Sequence, residues 1–252
     1  MNRKAQLICV ACGPLCAVLF AIGAVLVGRF IPPFVDPSNS AHTVALKYAE
    51  HGSRIRIGAL ISIISMSLVG PWGVTVAAQT RRTEGRFPIL TYVQIVCVAV
   101  GTCVVVLMCM FWAVATFRPT VYTDQTVLVL NDIAYFLFLF TWTPFAIWAL
   151  AIALAIFLDP NERPVYPRYV AYVCLWVAVL FVPAGAMAFF KTGPFAWNGL
   201  MALYVPVGIF FVWLTVLTYE TIKNINRGDS HDPARVDAPA AVIPAPQTLV
   251  EV

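Results

Sequence analysis

Long runs of apolar residues, separated by short clusters of charged and polar residues, dominate the chain. Six runs can be read between these clusters, at residues 7–27, 57–79, 89–115, 133–158, 169–190 and 200–222. Each run exceeds about 20 residues, the length that an α-helix needs to cross the hydrocarbon core of a bilayer. The runs lack the alternation of apolar and polar residues that is typical of β-barrel strands. In lipid, the backbone N–H and C=O groups of a segment that is neither helical nor part of a closed barrel would have no hydrogen-bond partners. The pattern therefore predicts an all-α fold, a polytopic transmembrane helix bundle with six spans.

The composition supports membrane insertion. Of 252 residues, 61% are hydrophobic and 11% are charged, and the mean hydropathy is +0.84. A soluble domain carries about a quarter charged residues. The net charge of +4 is accounted for by basic residues that flank membrane spans, so we expect no nucleic-acid partner.

The distribution of lysine and arginine predicts the orientation in the membrane. With a cytoplasmic N-terminus, nine basic residues fall inside: Arg3, Lys4, Arg81, Arg82, Arg86, Arg163, Arg168, Lys223 and Arg227. Six fall outside: Arg29, Lys47, Arg54, Arg56, Arg118 and Lys191. Because basic residues are enriched in cytoplasmic segments, we predict a multi-pass protein of the bacterial plasma (inner) membrane with both termini in the cytoplasm.

Two segments outside the runs have a character of their own. Residues 41–51 carry apolar positions at helical spacing after Ser40, a good N-cap, and before Gly52, a helix stop signal. They predict a short amphipathic outer helix in the first loop. Residues 228–252 are rich in Pro and Ala and have no core-forming period, so we predict a disordered cytoplasmic tail after a transmembrane domain at 1–227.

The metal-ligating residues do not form a recognisable motif. The seven cysteines all fall within predicted spans, and Cys9, Cys12 and Cys16 share one helical face. A structural metal site needs about four ligands, but no histidine or cysteine is predicted at the depth of these three. Cysteine also packs as a small apolar residue. We therefore expect no metal site, no cofactor and no disulfide.

The predicted threading brings a set of polar residues to the outer face. The candidate ligand-binding vestibule consists of His51, Arg54, Arg56, Arg118, Asp132, Lys191 and Asn198. Because a carboxylate near a bilayer needs a cationic partner, we predict that Asp132 lies within ion-pair distance of Lys191, Arg54 or Arg56. The alternative interpretation is that these residues are interfacial anchors, with Trp197 and Tyr204 in an aromatic belt. No residue is assigned a catalytic role.

Aromatic residues in spans four to six favour a hydrophobic ligand, since such ligands need a mostly apolar pocket. The first functional hypothesis is a non-enzymatic component that binds or passes a hydrophobic small molecule or membrane lipid, alone or with partner membrane proteins. The alternative is a membrane enzyme that acts on a lipid-like substrate, with Asp132 and His51 as acid–base groups. A cavity wall without titratable groups would favour the first hypothesis, and a pocket joining Asp132 to His51 would favour the second. A pure scaffold would have no pocket.

Four segments carry a resemblance to a known group of proteins: YAEHGSRIRIG, LNDIAY, PVYPRYVAYVCLW and FFKTGPFAWNG. Together they resemble an uncharacterised family of six-span integral membrane proteins of actinobacteria and some proteobacteria. The resemblance covers most of residues 5–225. It implies a six-helix membrane fold and a bacterial membrane location, and it carries over no activity and no functional residue.

Overall fold

The computed structural model describes residues 3–227, and every regular element in that range is helical. Six helices there are long and apolar enough to cross a membrane. We number them spans 1 to 6: Arg3–Val27, Ala41–Thr83, Ile89–Ala115, Asp124–Phe157, Arg168–Ala188 and Leu200–Asn226. The predicted all-α fold with six spans is confirmed, and the protein is a multi-pass membrane protein. The tail predicted at 228–252 lies outside the described residues.

Most spans are divided into segments of different helix type. The α-helical segments are α1 (Arg3–Phe20), α2 (Ala41–Ser67), α3 (Val69–Thr80), α4 (Ile89–Ala115), α5 (Asp124–Tyr135), α6 (Trp142–Phe157), α7 (Arg168–Phe181) and α8 (Val205–Asn226). The π-helical segments are Ala21–Val27, Phe136–Phe140 and Leu200–Tyr204, and the 3₁₀ segments are Arg81–Thr83 and Val182–Ala188. Span 3 is the one described span that is α-helical from end to end.

Prolines account for most of these changes of helix type. Pro71, Pro144, Pro183 and Pro206 each lie in or within three residues of an irregular part of spans 2, 4, 5 and 6. Proline has no backbone N–H and its ring clashes with the preceding turn, so it kinks or breaks a helix. Neighbouring spans can satisfy the freed backbone groups, which is why membrane helices tolerate such breaks.

The predicted outer helix is present but is not separate from span 2. The Ser40 hydroxyl accepts a hydrogen bond from the Thr43 backbone N–H, as expected of an N-cap, and α2 begins at Ala41. The helix does not end at Gly52, and the predicted end at residue 51 is wrong. A glycine inside a helix costs only about 1 kcal/mol, and the buried side chains of Tyr48 and Ile55 on either side hold the helix continuous.

Span 4 also begins earlier than its apolar run suggests. The Thr123 hydroxyl accepts from the Thr126 backbone N–H, and α5 starts at Asp124. Asn131 and Asp132 therefore lie about two turns inside the helix rather than in its first turn. The apolar run underestimated the helix because the first two turns of α5 are partly polar.

Three tryptophans fill the bundle in the half nearer its Arg3–Asn226 end. The rings of Trp72, Trp148 and Trp213 meet edge to face, with centroids 4.8–5.9 Å apart, and all three are fully buried. We call them the tryptophan layer. A methyl group added to Gly13 would lie 2.6 Å from Cδ1 of Trp72, and one added to Gly73 would lie 2.8 Å from Trp148. The two glycines thus make room for the indoles.

The opposite end of the bundle is closed by residues 28–39, here called the lid. The side chains of Phe30 and Val35 are fully buried, and the Phe30 ring stacks on Trp112 with centroids 3.9 Å apart. The Lys47 ammonium donates to the Phe34 carbonyl oxygen at 2.6 Å. The lid folds inward because its aromatic and aliphatic residues find apolar partners there.

The loop at 189–199 packs over the lid. It turns at Gly193, whose φ of 84° favours glycine. The Trp197 indole N–H donates to the Val35 carbonyl oxygen at 3.2 Å, and its ring stacks on Tyr135 with centroids 5.0 Å apart. Trp197 is only 6% exposed, so its assignment to a lipid-facing aromatic belt is wrong.

Candidate functional site

The seven residues predicted to form the outer vestibule form their polar contacts with residues outside this set. Within residues 3–227, none of the seven donates to, accepts from or forms an ion pair with another. Most of those that form hydrogen bonds instead contact backbone or loop groups, and Arg118 lies over the ring of its neighbour Phe117 at the surface. These contacts are typical of residues that fix loops and helix ends.

The two arginines of α2 hold the ends of neighbouring spans. The Arg54 Nε donates to the Val27 carbonyl oxygen at 3.3 Å, at the end of span 1. Arg56 Nη1 donates to the Thr116 carbonyl oxygen at 2.8 Å, directly after span 3. A cation at a helix C-terminus is favourable because it meets unpaired carbonyl groups and the negative end of the helix dipole. Both arginines therefore stabilise helix ends.

The predicted ion pair of Asp132 is wrong. In the described part of the chain, no basic nitrogen lies within 4.0 Å of its carboxylate. The Lys191 charge acts on Asp132 only from a greater distance. The nearest polar partner is the Asn131 side chain, which donates to Asp132 at 3.3 Å. The early start of α5 moves Asp132 away from the span ends where the basic residues lie.

Instead of an ion pair, a hydrogen bond between two uncharged side chains joins spans 2 and 4. The Tyr48 hydroxyl donates to Asn131 Oδ1 at 2.9 Å, and both side chains are buried. Buried polar groups are nearly always paired in this way. Asn131 directly precedes Asp132 in the segment LNDIAY. The prediction considered an ion pair of the charged residue and overlooked a hydrogen bond of its neutral neighbour.

The acid–base pair required by the enzyme hypothesis is not assembled. His51 is half-buried on α2 and forms neither a hydrogen bond nor an ion pair with Asp132 in the described chain. A general acid or base has to lie within hydrogen-bond reach of its proton partner. The geometry therefore gives no support to a catalytic role for these two residues.

A cavity of about 70 Å³ lies in the middle of the bundle, and we call it the central cavity. Every span contributes to its wall: Phe20 from span 1, Met66 from span 2, Val105 from span 3, Phe145 from span 4, Phe181 from span 5 and Phe211 from span 6. None of the fifteen residues that line it is titratable. An apolar cavity with few polar groups is the usual form of a site for a hydrophobic ligand.

The irregular helical segments surround the central cavity. Leu139 and Thr141 line it at the irregular part of span 4, and Ala184 lines it from the 3₁₀ segment of span 5. Pro206 lines it at the start of α8, directly after the π-helical segment of span 6. π-Helical turns are found frequently at functional sites, and here the breaks of several spans meet around one space.

A second polar group is buried beyond the tryptophan layer, towards the Arg3–Asn226 end. The Glu220 carboxylate is 1% exposed. Its Oε1 accepts from the Tyr169 hydroxyl at 2.9 Å and from the Lys223 ammonium at 3.4 Å. Its Oε2 has no partner among the described residues, and neither has Nδ2 of Asn224, one turn later. The position of Glu220 near the end of its apolar run had not indicated this burial.

Next to this carboxylate, a hydroxyl pair connects the loop before α7 to α8. The hydroxyls of Tyr166 and Thr221 lie 2.7 Å apart, and both residues are fully buried. Burial raises the pKa of the Tyr166 phenol, so its hydroxyl stays protonated. The pair is a neutral structural contact.

The cysteines contact their neighbours as packing residues do. Cys16 is fully buried, and its Sγ lies 3.5 Å from the Ser65 hydroxyl. Cys174 accepts a hydrogen bond from the Trp213 indole at 3.3 Å. Within residues 3–227, no group of three or more histidine, cysteine or acidic side chains is placed to hold a metal ion.

The sequence contained part of the signal for the central cavity. Pro71 and Pro144 indicated irregular backbone in spans 2 and 4, and Pro183 and Pro206 indicated kinks in spans 5 and 6. The aromatic residues of span 4 indicated an apolar ligand. Their meeting at one level depends on how the helices rotate against one another, which the sequence pattern does not specify. The comparisons add nothing to this picture: no family model matches the chain, and neither does any curated protein or solved structure.

Proposed function

We propose that this protein is a non-enzymatic component of the bacterial plasma membrane that binds or passes a hydrophobic small molecule or a lipid chain. The observation that carries the proposal is the central cavity, which has an apolar wall drawn from all six spans and no titratable group. General acid–base chemistry needs a titratable group at the reacting atoms, whereas hydrophobic binding needs only a dry, well-shaped wall.

The size of the cavity limits its occupant. An apolar cavity of about 150 Å³ accommodates benzene, so a volume of 70 Å³ is enough for a short chain, one segment of an acyl chain or part of a small ring. The rest of a ring would lie between the spans, where Val207 and Phe210 on the cavity wall are only half-buried. A complete lipid would have to extend from the cavity between two spans.

Passage from one end of the bundle to the other would require two barriers to move. The lid and the loop at 189–199 close one end with the buried rings of Phe30 and Trp197. The tryptophan layer separates the cavity from the other end. Binding alone requires neither barrier to open, because a hydrophobic molecule can enter from the surrounding lipid.

The orientation with cytoplasmic termini is part of the proposal and is supported by the excess of lysine and arginine at the Arg3–Asn226 end. In this orientation the lid faces outwards. The partners we propose are membrane lipids or a hydrophobic small molecule, and a partner membrane protein is compatible with the wide apolar surface of the bundle.

Native mass spectrometry of the protein extracted from its own membrane tests the proposal. We expect a hydrophobic molecule to co-purify with the wild-type protein. Ala184→Leu adds bulk to the cavity wall and should release this molecule. Ala188→Leu, the same change one turn further along span 5 at an exposed position, is the matched control and should retain it. Equal retention by wild type and Ala184→Leu would contradict binding in the central cavity.

A further inference from the structure

The wall of the central cavity carries polar hydrogen-bond donors at one place only. Of its fifteen lining residues, thirteen have purely hydrocarbon or thioether side chains. The other two, Thr141 and Trp142, are adjacent and lie where span 4 passes from its π-helical segment into α6. The two lining residues whose side chains carry a hydrogen-bond donor are therefore neighbours in an otherwise apolar wall.

Neither of these donors has a partner in the described chain. No hydrogen bond involves the Thr141 hydroxyl or the Trp142 indole, although other indoles of the bundle are paired, such as Trp72 with Thr218 at 2.9 Å. The indoles of Trp112 and Trp148 are unpaired too, so an unpaired indole alone does not identify a site. Trp142 differs from both because it lies on the cavity wall.

The surroundings fix the Trp142 indole beside the cavity. A methyl group added to Gly185 would lie 2.7 Å from Trp142 Nε1, so the absence of a side chain at 185 lets the indole N–H approach span 5. The neighbouring Ala184 is itself part of the wall. Thr141 has non-helical dihedrals (φ −81°, ψ 32°) and stands at the interruption between the two helical segments.

We propose that the central cavity selects small apolar molecules that carry one hydrogen-bond acceptor, such as the carbonyl oxygen of a ketone, through donation from Thr141 and Trp142. This inference rests on the proposed function, since it concerns the occupant of the same cavity. An unpaired donor in apolar surroundings is unfavourable, and a carbonyl oxygen that enters the cavity can accept a hydrogen bond from either group. A pure hydrocarbon of the same shape would leave both donors unpaired.

A shape-matched pair of probes tests the proposal: cyclohexanone, which has one carbonyl, and cyclohexane, which has none. Binding to the full chain in lipid nanodiscs is measured by saturation-transfer NMR titration, with empty nanodiscs as the reference for partition into lipid. Thr141→Val removes the hydroxyl with little change of shape, and Trp142→Phe removes the indole N–H together with part of the ring. Each should weaken cyclohexanone binding relative to cyclohexane binding by about threefold to tenfold.

Matched controls separate donation from shape. Thr141→Ser keeps the hydroxyl and should retain cyclohexanone binding. Thr143→Val and Trp176→Phe repeat the same chemical changes at exposed positions and should bind both probes as the wild type does. If Thr141→Val and Trp142→Phe bind both probes as tightly as wild type, or lose both equally, acceptor recognition is refuted and hydrophobic binding still stands. If the wild type binds neither probe, the proposed function fails as well.

Discussion

Replacing Gly101 by alanine would place a methyl group 2.9 Å from Cζ of Phe145. Non-bonded carbon atoms are most stable about 3.5–4.0 Å apart, so the ring has to shift by about 0.6–1.1 Å. Phe145 borders the central cavity, and the ring can therefore move into free space. We expect the free energy of unfolding to fall by about 1 kcal/mol or less, the lower end of overpacking costs, while the cavity becomes smaller.

At Gly73, the same substitution would meet side chains that have no free space to move into. The new methyl group would lie 2.7 Å from Val98 Cγ2 and 2.8 Å from Trp148, and Trp148 is held by the other two rings of the tryptophan layer. We expect a loss of about 1–3 kcal/mol, the usual cost of overpacking a closed core. Gly70→Ala is the control, since its nearest neighbour would be Thr102 at 3.9 Å, and it should leave stability unchanged or raise it by up to about 1 kcal/mol.

The assay measures two quantities for each of the three variants in the same lipid: unfolding by heat or denaturing detergent, and binding of cyclohexane by NMR titration. Gly101→Ala should reduce binding with little loss of stability. Gly73→Ala should lose stability, and Gly70→Ala should change neither property for the worse. The reasoning is refuted if Gly101→Ala destabilises as much as Gly73→Ala and yet binds cyclohexane as wild type does.

The remaining predictions concern polar contacts, and each is measured by unfolding in the same lipid. Asp132→Ala should cost less than about 1 kcal/mol because no ion pair is lost, whereas Asn131→Leu should cost about 1–3 kcal/mol because it strands a buried tyrosine hydroxyl; the reverse order would contradict the contacts described. A double-mutant cycle of Asp36→Ala and Asn198→Ala should give a coupling energy of about 1 kcal/mol, because their 2.6 Å hydrogen bond fastens the lid, and zero coupling would argue against it. Glu220→Met should leave stability unchanged or raise it, because the partners of Glu220 are partly exposed and one buried oxygen is unpaired. A loss above about 2 kcal/mol would indicate an additional partner at that oxygen.

Local signals in the sequence were sufficient to predict six helices and the start of α2. Ser40 caps this helix because its hydroxyl accepts from the Thr43 backbone N–H, and this chemistry depends on nearby residues alone. The predicted stop at Gly52 failed because packing on both sides outweighs the small cost of a helical glycine.

The faces of the helices could not be predicted in the same way. In a soluble helix, the buried face is apolar and the exposed face is polar, whereas in a membrane both faces are apolar. Trp148 is fully buried and Trp176 is 64% exposed to the surroundings of the bundle, yet both stand in equally apolar runs. The sequence therefore predicted the number of spans and not which of their aromatic residues would meet around the central cavity.

The layers on both sides of the central cavity are densely packed, which indicates that the fold keeps the space between them open. On one side, Gly13 and Gly73 bring the helices close enough to leave no room for a methyl group beside the tryptophan layer. On the other side, Phe30 and Trp112 stack with centroids 3.9 Å apart. Between these two dense layers the spans change helix type next to their prolines, although each break disturbs backbone hydrogen bonds where no water is present to replace them. A bundle that only had to be stable would pack this level as closely as its neighbours, so the breaks are best explained by the space that they keep open.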